Sequence, residues 1–123
     1  MEIQQPREIY AEANLLCACL VAQIAPPCRP EDFSVDVHQA IARVMLEIEL
    51  SGMTPDLATV IMKTTEKSDF SPIDVSTILD SAASDRNLDL YARIVKDYSV
   101  ARKIQALSIN FVSDIGKSKA DNF

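Results

Sequence analysis

The chain has 123 residues, two of them glycine, three cysteine and none tryptophan, with 48% apolar and 24% charged residues and a net charge of -6. That is one domain's worth of ordinary globular composition. Two glycines are too few for glycine-rich phosphate loops or nucleotide-binding α/β folds. Residues 1–60 hold nine acids and three bases, and residues 61–123 hold nine of each, so the whole imbalance sits in the first half. Such a surface repels phosphate backbones, and no direct nucleic-acid binding is expected.

In chain order, Ile9, Ala13, Leu16, Leu20 and Ile24 recur at steps of three and four and predict a first helix over roughly Glu8–Ile24, ended by Pro26–Pro27. A turn follows at Pro30-Glu31-Asp32-Phe33, where Phe33 is the large apolar group available to pin it to the core. A second helix, Asp36–Leu50, is expected to be capped by Asp36 and to bury Val37, Ile41, Val44, Met45 and Ile48. Leu46 and Leu50 lie off that stripe and suggest cover on two sides. Ser51–Gly52 stops the helix, with Gly52 suited to a left-handed position. Thr54-Pro55-Asp56 opens a third helix, roughly Leu57–Thr65, with Leu57, Val60, Ile61 and Thr64 inward. Ser71-Pro72 opens a fourth, running to about Ala83 on Ile73, Val75, Ile78 and Leu79.

Asn87 precedes a long last helix with two stripes: Tyr91, Ile94, Val95 and Tyr98, then Ile104, Leu107, Phe111 and Ile115. No proline or glycine occurs from Leu88 to Ile115, so a single helix is allowed, although a break near Ala106 is equally open. Leu88–Lys119 is locally basic through Arg93, Lys96, Arg102, Lys103, Lys117 and Lys119; a solvated face explains this as well as a binding strip does. No segment alternates strictly. The expected fold is all-α, a compact bundle of about five main helices with a long C-terminal helix extending from it.

Little in the sequence supports chemistry. Gly116-Lys117-Ser118 copies the end of a phosphate-binding loop, but Phe111 stands where the first glycine belongs. Cys17 and Cys19 point to different faces of a helix and read as reduced core thiols. A zinc site from Cys17, Cys19, Cys28 and His38 has the wrong spacing. His38, the only histidine, reads as a half-buried residue that seats the preceding turn; a thiol enzyme built on Cys28 and His38 is the chemical alternative. Glu31–Asp32 and Glu47 with Glu49 read as a helix-start pair and a solvent face. The longest uncharged run, Ala13–Cys28, is too short to span a bilayer and is preceded by Glu2, Glu8 and Glu12, which a signal peptide would not carry. A cytoplasmic protein with no membrane association, no cofactor, and no catalytic, cofactor-binding or metal-ligating residue is therefore expected. The apolar stripe Ile104, Leu107, Phe111 and Ile115 is the candidate self-association face, against the alternative that the helix folds back on its own bundle.

Several stretches in series carry a family pattern: Ala11-Glu12-Ala13-Asn14-Leu15-Leu16 with Leu20, then Glu31-Asp32-Phe33 with His38, Ile41 and Leu46, then Gly52, Asp56, Thr59 and Val60, and finally Asn87, Tyr91-Ala92-Arg93-Ile94-Val95 and Arg102. From about Arg7 to Gln105 the chain resembles the N-terminal domain of the DnaB-family replicative DNA helicase. It departs at Ser34, where the family usually has an aromatic, and at Glu66–Pro72, which replaces a glycine-containing link. The resemblance implies a helical bundle over residues 1–105, with 106–123 as the first arm of a helical hairpin or C-terminal extension. It also implies a non-catalytic interaction and oligomerisation domain that forms the collar of a helicase ring and docks primase or a helicase loader, the ATP-driven motor lying elsewhere. A homo-oligomer, dimer or higher, is expected. A standalone short phage- or plasmid-type protein that copies this domain to regulate a helicase or primase is the alternative.

Overall fold

The structure, a computed structural model, describes residues 6–80 and 84–121, with side chains from 7–80 and 84–115. It contains five helices, α1 (Pro6–Ala22), α2 (Asp36–Leu50), α3 (Leu57–Lys67), α4 (Pro72–Leu79) and α5 (Leu88–Asp121), with short 3-10 turns at Pro30–Asp32 and Asp85–Asn87. No strand occurs among the described residues. The sequence thus forms the all-α bundle its periodicity predicts, and α5 is one unbroken helix of 34 residues, about 51 Å long.

α1 lies at the centre, packed against the first half of α5, with α2, α3 and α4 completing the bundle. Leu15, Leu16, Ala18 and Cys19 of α1 meet Phe33, Ile41, Met45, Val60, Val75 and Val95 in a single core. Phe33 is fully buried and pins the turn as its isolation in a polar segment predicts. The α1 face is rotated from the expected one: Ile9, Ala13 and Leu20 are half-buried and Ile24 is exposed, while Glu8, Ala11, Glu12, Leu15 and Cys19 face inward. These residues also recur at steps of three and four, so periodicity alone could not separate the two faces.

Both of the first two long helices end through left-handed residues. Gln23, at φ +59°, follows α1, with Ile24 N–H donating to the Cys19 carbonyl at 3.0 Å. Gly52, at φ +86°, follows α2, with Met53 N–H donating to the Ile48 carbonyl at 3.2 Å. These are six-to-one closures that satisfy carbonyls the helix leaves open. A Cβ at Gly52 would meet no atom within 4 Å. Gly52→Ala is therefore expected to cost only the left-handed backbone term, about 1 kcal/mol, read from urea unfolding; a loss of several kcal/mol would mean that hidden packing was disturbed.

Other boundaries and faces differ from expectation. Val35, not Asp36, occupies the cap position of α2, and Asp36 sits in its first turn as an acid favoured by the helix dipole. Leu50 and Ile73 are 77% and 75% exposed, and Leu57 is also exposed, so the inward settings of Leu57 and Ile73 are not present, and the second cover of α2 reaches Leu46, which packs half-buried on the core, but not Leu50. α3 extends to Lys67, and α4 ends at Leu79. The expected continuation to Ala83 falls on residues 81–83, outside those described. Asp56 caps α3 by accepting from Thr59 N–H at 2.9 Å, and Ser71 caps α4 by accepting from Asp74 N–H at 3.2 Å, with Pro72 in the first helical turn. The backbone of Gly116-Lys117-Ser118 is helical rather than a phosphate loop; its side chains lie outside those described.

A buried carboxylate network and an exposed helix face

The polar residues of the bundle converge where α1, the Pro30–Asp32 turn, α2 and α5 meet. Glu12 is completely buried in the middle of α1. One of its oxygens accepts from Ser34 N–H at 2.9 Å and from the Ser34 hydroxyl at 2.6 Å. The other lies 2.8 Å from His38 Nδ1 and accepts from Val35 N–H at 3.3 Å. One side chain thereby ties the entry of α2 onto α1 and supplies a partner to a backbone N–H at its cap, where Val35 has no side-chain acceptor to offer. His38 does seat the turn, and it is buried rather than half-buried. Ser34, the residue that departs from the family pattern, supplies two of the four contacts.

A second carboxylate, Asp32, binds the turn to α5. It accepts from the buried Ser99 hydroxyl at 2.7 Å and from Arg29 N–H at 2.9 Å, with Lys103 Nζ at 3.5 Å. Arg102 of α5 donates to the Asp32 carbonyl at 2.6 Å and pairs with the buried Glu8 of α1. Burial alone would push the Asp32 carboxyl up, but the Ser99 and Arg29 hydrogen bonds and the Lys103 and Arg29 charges outweigh it and hold the group below its ordinary value. A depressed carboxyl stabilises the fold fully above its unfolded pKa, near 4, and that contribution fades as pH falls through the lower folded value. Asp32→Asn is thus expected to flatten part of the acid-side fall in stability below about pH 4, as followed by urea unfolding at stepped pH. A slope identical to that of the parent would remove Asp32 from the acid response.

Glu47 and Glu49 are not a simple solvent pair. Glu49 accepts from Ala25 N–H at 2.7 Å, closing the exit from α1, and Glu47 pairs with Lys67 of α3. None of the three cysteines forms a disulfide. Cys17 donates to the Ile78 carbonyl at 3.1 Å. Burial, with repulsion from neighbouring thiol and carboxyl groups, pushes Cys19 and Cys28 up to about 12, the reverse of an activated nucleophile. At pH 8, native Cys19 and Cys28 are expected to react with iodoacetamide at least tenfold more slowly than in urea, as counted by mass spectrometry; equal rates would contradict the protected setting. His38 faces Glu12 rather than a thiol. Among the described residues no group of three or more His, Cys, Asp or Glu is placed to hold a metal ion. Nor is any helix there long and apolar enough to cross a membrane.

The candidate self-association residues are all on the outer half of α5. Ile104, Leu107, Phe111 and Ile115 are 59%, 68%, 66% and 41% exposed, and Ile109 and Val112 beside them are exposed too. Ile104, Leu107, Phe111 and Val112 share one open, largely apolar surface with Ser108, Asn110 and Asp114. Among the described residues the outer half of the helix does not fold back on the bundle, and the ion pairs and hydrogen bonds that join α5 to the bundle lie at Ser99, Arg102 and Lys103. α5 also runs without interruption across the expected division between residues 105 and 106.

Fold and network together define a small all-α bundle domain clamped by buried carboxylates, with a long helix projecting from it. The chain belongs to the DnaB-like helicase N terminal domain family, whose model matches residues 4–97. A curated relative, the replicative DNA helicase DnaB of Geobacillus stearothermophilus, is 30% identical over 118 residues, an alignment that covers 89% of this chain and 26% of the relative. The chain therefore spans about a quarter of that relative's length. The crystal structure of the N-terminal domain of DnaB helicase from Mycobacterium tuberculosis matches with a TM-score of 0.76 at 22% identity, covering 89% of this chain and 85% of that one. The family match ends before the Ile104–Ile115 stripe begins.

Proposed function

We propose that the chain is a non-catalytic interaction and oligomerisation domain of a replicative DNA helicase, one that forms part of the ring's collar and docks primase or a helicase loader. The observation that carries the reading is the exposed stripe Ile104, Leu107, Phe111 and Ile115 on a helix that has already left its own bundle. An apolar face of that length on a projecting helix is suited to helix–helix pairing, with spacings of three, four and four. Family membership supplies the helicase setting. The acidic first half offers a complementary surface to a basic partner domain and disfavours direct contact with DNA. The raised thiols and the structural setting of His38 weigh against chemistry within the bundle. A cytoplasmic setting accords with this role.

Sedimentation equilibrium of the chain at tens to hundreds of micromolar tests the oligomerisation. Self-association supports the reading, and a clean monomer throughout that range overturns it. A pull-down with primase, loader and helicase from the same source identifies the docked partner.

A further inference from the structure

α1 and α2 run side by side in the same direction. Glu12 of α1 meets Ser34, Val35 and His38 at the start of α2, and further along both helices Ala25 N–H donates to Glu49. The C-terminal ends of α1 and α2 therefore lie together. They sit at the opposite end of α1 from the Glu8–Arg102 pair, where α5 leaves the bundle. Each helix C-terminus carries roughly half a negative charge, and cationic side chains ordinarily settle there. Neither α1 nor α2 has one in its last turn. No Lys or Arg occurs between Arg7 and Arg29, or between Arg43 and Lys63. Exposed Glu49 and Asp56 add to the negative field, while the charge of Glu47 is met by Lys67. Asp56 also offsets the positive pole of α3, which it caps. The turn that leads into α5 packs on α1 and brings Asp85 and Arg86, which cancel.

Apolar side chains stand exposed at the same end. Ile24 follows the left-handed Gln23, and Met53 follows the left-handed Gly52. In closures of this kind the residue just past the turn commonly packs back on its own helix. Here Ile24 and Met53 hold that position and stay exposed, and Leu50, in the last turn of α2, is more exposed still. The hydrogen bond from Ala25 to Glu49 and that from Met53 N–H to the Ile48 carbonyl bring all three to the paired helix ends. The surface thus joins uncovered apolar groups to a negative field that lacks its usual cations. Nucleic acid and anionic membrane would be repelled. A segment that carries both methyl groups and Lys or Arg complements both features.

We propose that the paired C-terminal ends of α1 and α2, with Ile24, Leu50 and Met53, dock a basic amphipathic helix of a partner protein. Its apolar residues would cover those three side chains, and its cations would face the helix ends, Glu49 and Asp56. The proposal deepens the partner-docking half of the reading above and rests on it. The stripe of α5 in a second copy is the competing occupant, but self-association already engages that stripe.

The test uses a fluorescein-labelled synthetic peptide of about 20 residues, long enough to form a helix, with leucines at helical spacing and lysines on either side of them. Anisotropy is followed as the full chain is added. The expected result is saturable binding, half-complete at roughly 50 μM, that weakens several-fold between about 50 and 300 mM salt. A sister peptide with glutamates in place of the lysines is expected not to bind. Leu50→Lys supplies a cation in place of an apolar group and is expected to weaken binding about tenfold. Ile73→Lys, at an equally exposed position on α4, is expected to leave it unchanged. Amide NMR is expected to place the shifts at Ile24, Glu49, Leu50 and Met53. No binding, equal binding of the sister peptide, equal effects of the two variants, or shifts confined to the outer half of α5 overturns the proposal. If Leu50→Lys also disperses self-associated chain in sedimentation, the surface is a contact between copies and the proposal falls. A monomeric parent chain that still binds the peptide refutes oligomerisation alone, so the two failures are distinguishable.

Discussion

Glu12→Ala is expected to destabilise the bundle by about 4 kcal/mol, the largest loss available from a single polar side chain here. The substitution removes the acceptor of four donors at once: Ser34 N–H, the Ser34 hydroxyl, Val35 N–H and the His38 ring. Each stranded buried donor costs about 1–3 kcal/mol, and some of this is recovered because the Ser34–Val35 segment is only half-buried and can turn to water. Glu12→Gln is the sharper control. It keeps one acceptor oxygen and the shape, but it sets an NH2 group against a cluster of donors, so a loss of about half that size is expected. Urea unfolding of the three proteins, at constant slope, reads the difference. A loss under about 1 kcal/mol for Glu12→Ala would mean that the carboxylate roughly breaks even against its own desolvation.

Phe111→Asp is expected to weaken self-association by about three orders of magnitude. Burying a phenyl ring stabilises by roughly 1.5–3 kcal/mol. In a symmetric pair the ring counts twice, and a carboxylate in its place must also be desolvated. A total near 4 kcal/mol corresponds to about a thousandfold in Kd. The fold should be untouched, because Phe111 is 66% exposed and lies beyond the bundle contacts of α5. Sedimentation reads the association and circular dichroism the fold. Ser113→Asp, also exposed but about half a turn round the helix from the stripe, provides a comparison in which the apolar stripe is intact. If Phe111→Asp leaves the assembly unchanged, the stripe is not the contact.

Helix positions were legible because each rests on local rules. α2 falls at Asp36–Leu50 as its pattern predicts, and the stop at Gly52 and the start at Ser71-Pro72 act through backbone geometry that sequence reports directly. The faces were less legible. Leu50, Leu57 and Ile73 continue apolar patterns onto solvent, because hydrophobicity favours burial without requiring it. The largest omission is the carboxylate network. Glu8, Glu12 and Asp32 look like surface acids by type, and their partners on other elements are 22 to 94 positions away. One signal was available: Glu8 and Glu12 stand one turn apart and in line with Leu15, Leu16 and Cys19, which places two acids on an inward face. Their partners, Ser34, His38 and Arg102, could not have been named from spacing alone.

α5 also acts as an indexing shaft. Ser99, Arg102 and Lys103 clamp one stretch of the helix to Asp32 and Glu8, and the stripe begins at the next residue, with no glycine or proline to absorb rotation. The direction in which Phe111 points is thereby locked to the orientation of the bundle. One residue inserted after Lys103 would swing the whole stripe by about 100° and advance it about 1.5 Å. Seven residues would return it to within about 20° of its original bearing. Residue count between clamp and stripe is therefore constrained more tightly than residue identity, and length changes there would reset the angle at which one bundle is presented to its neighbour.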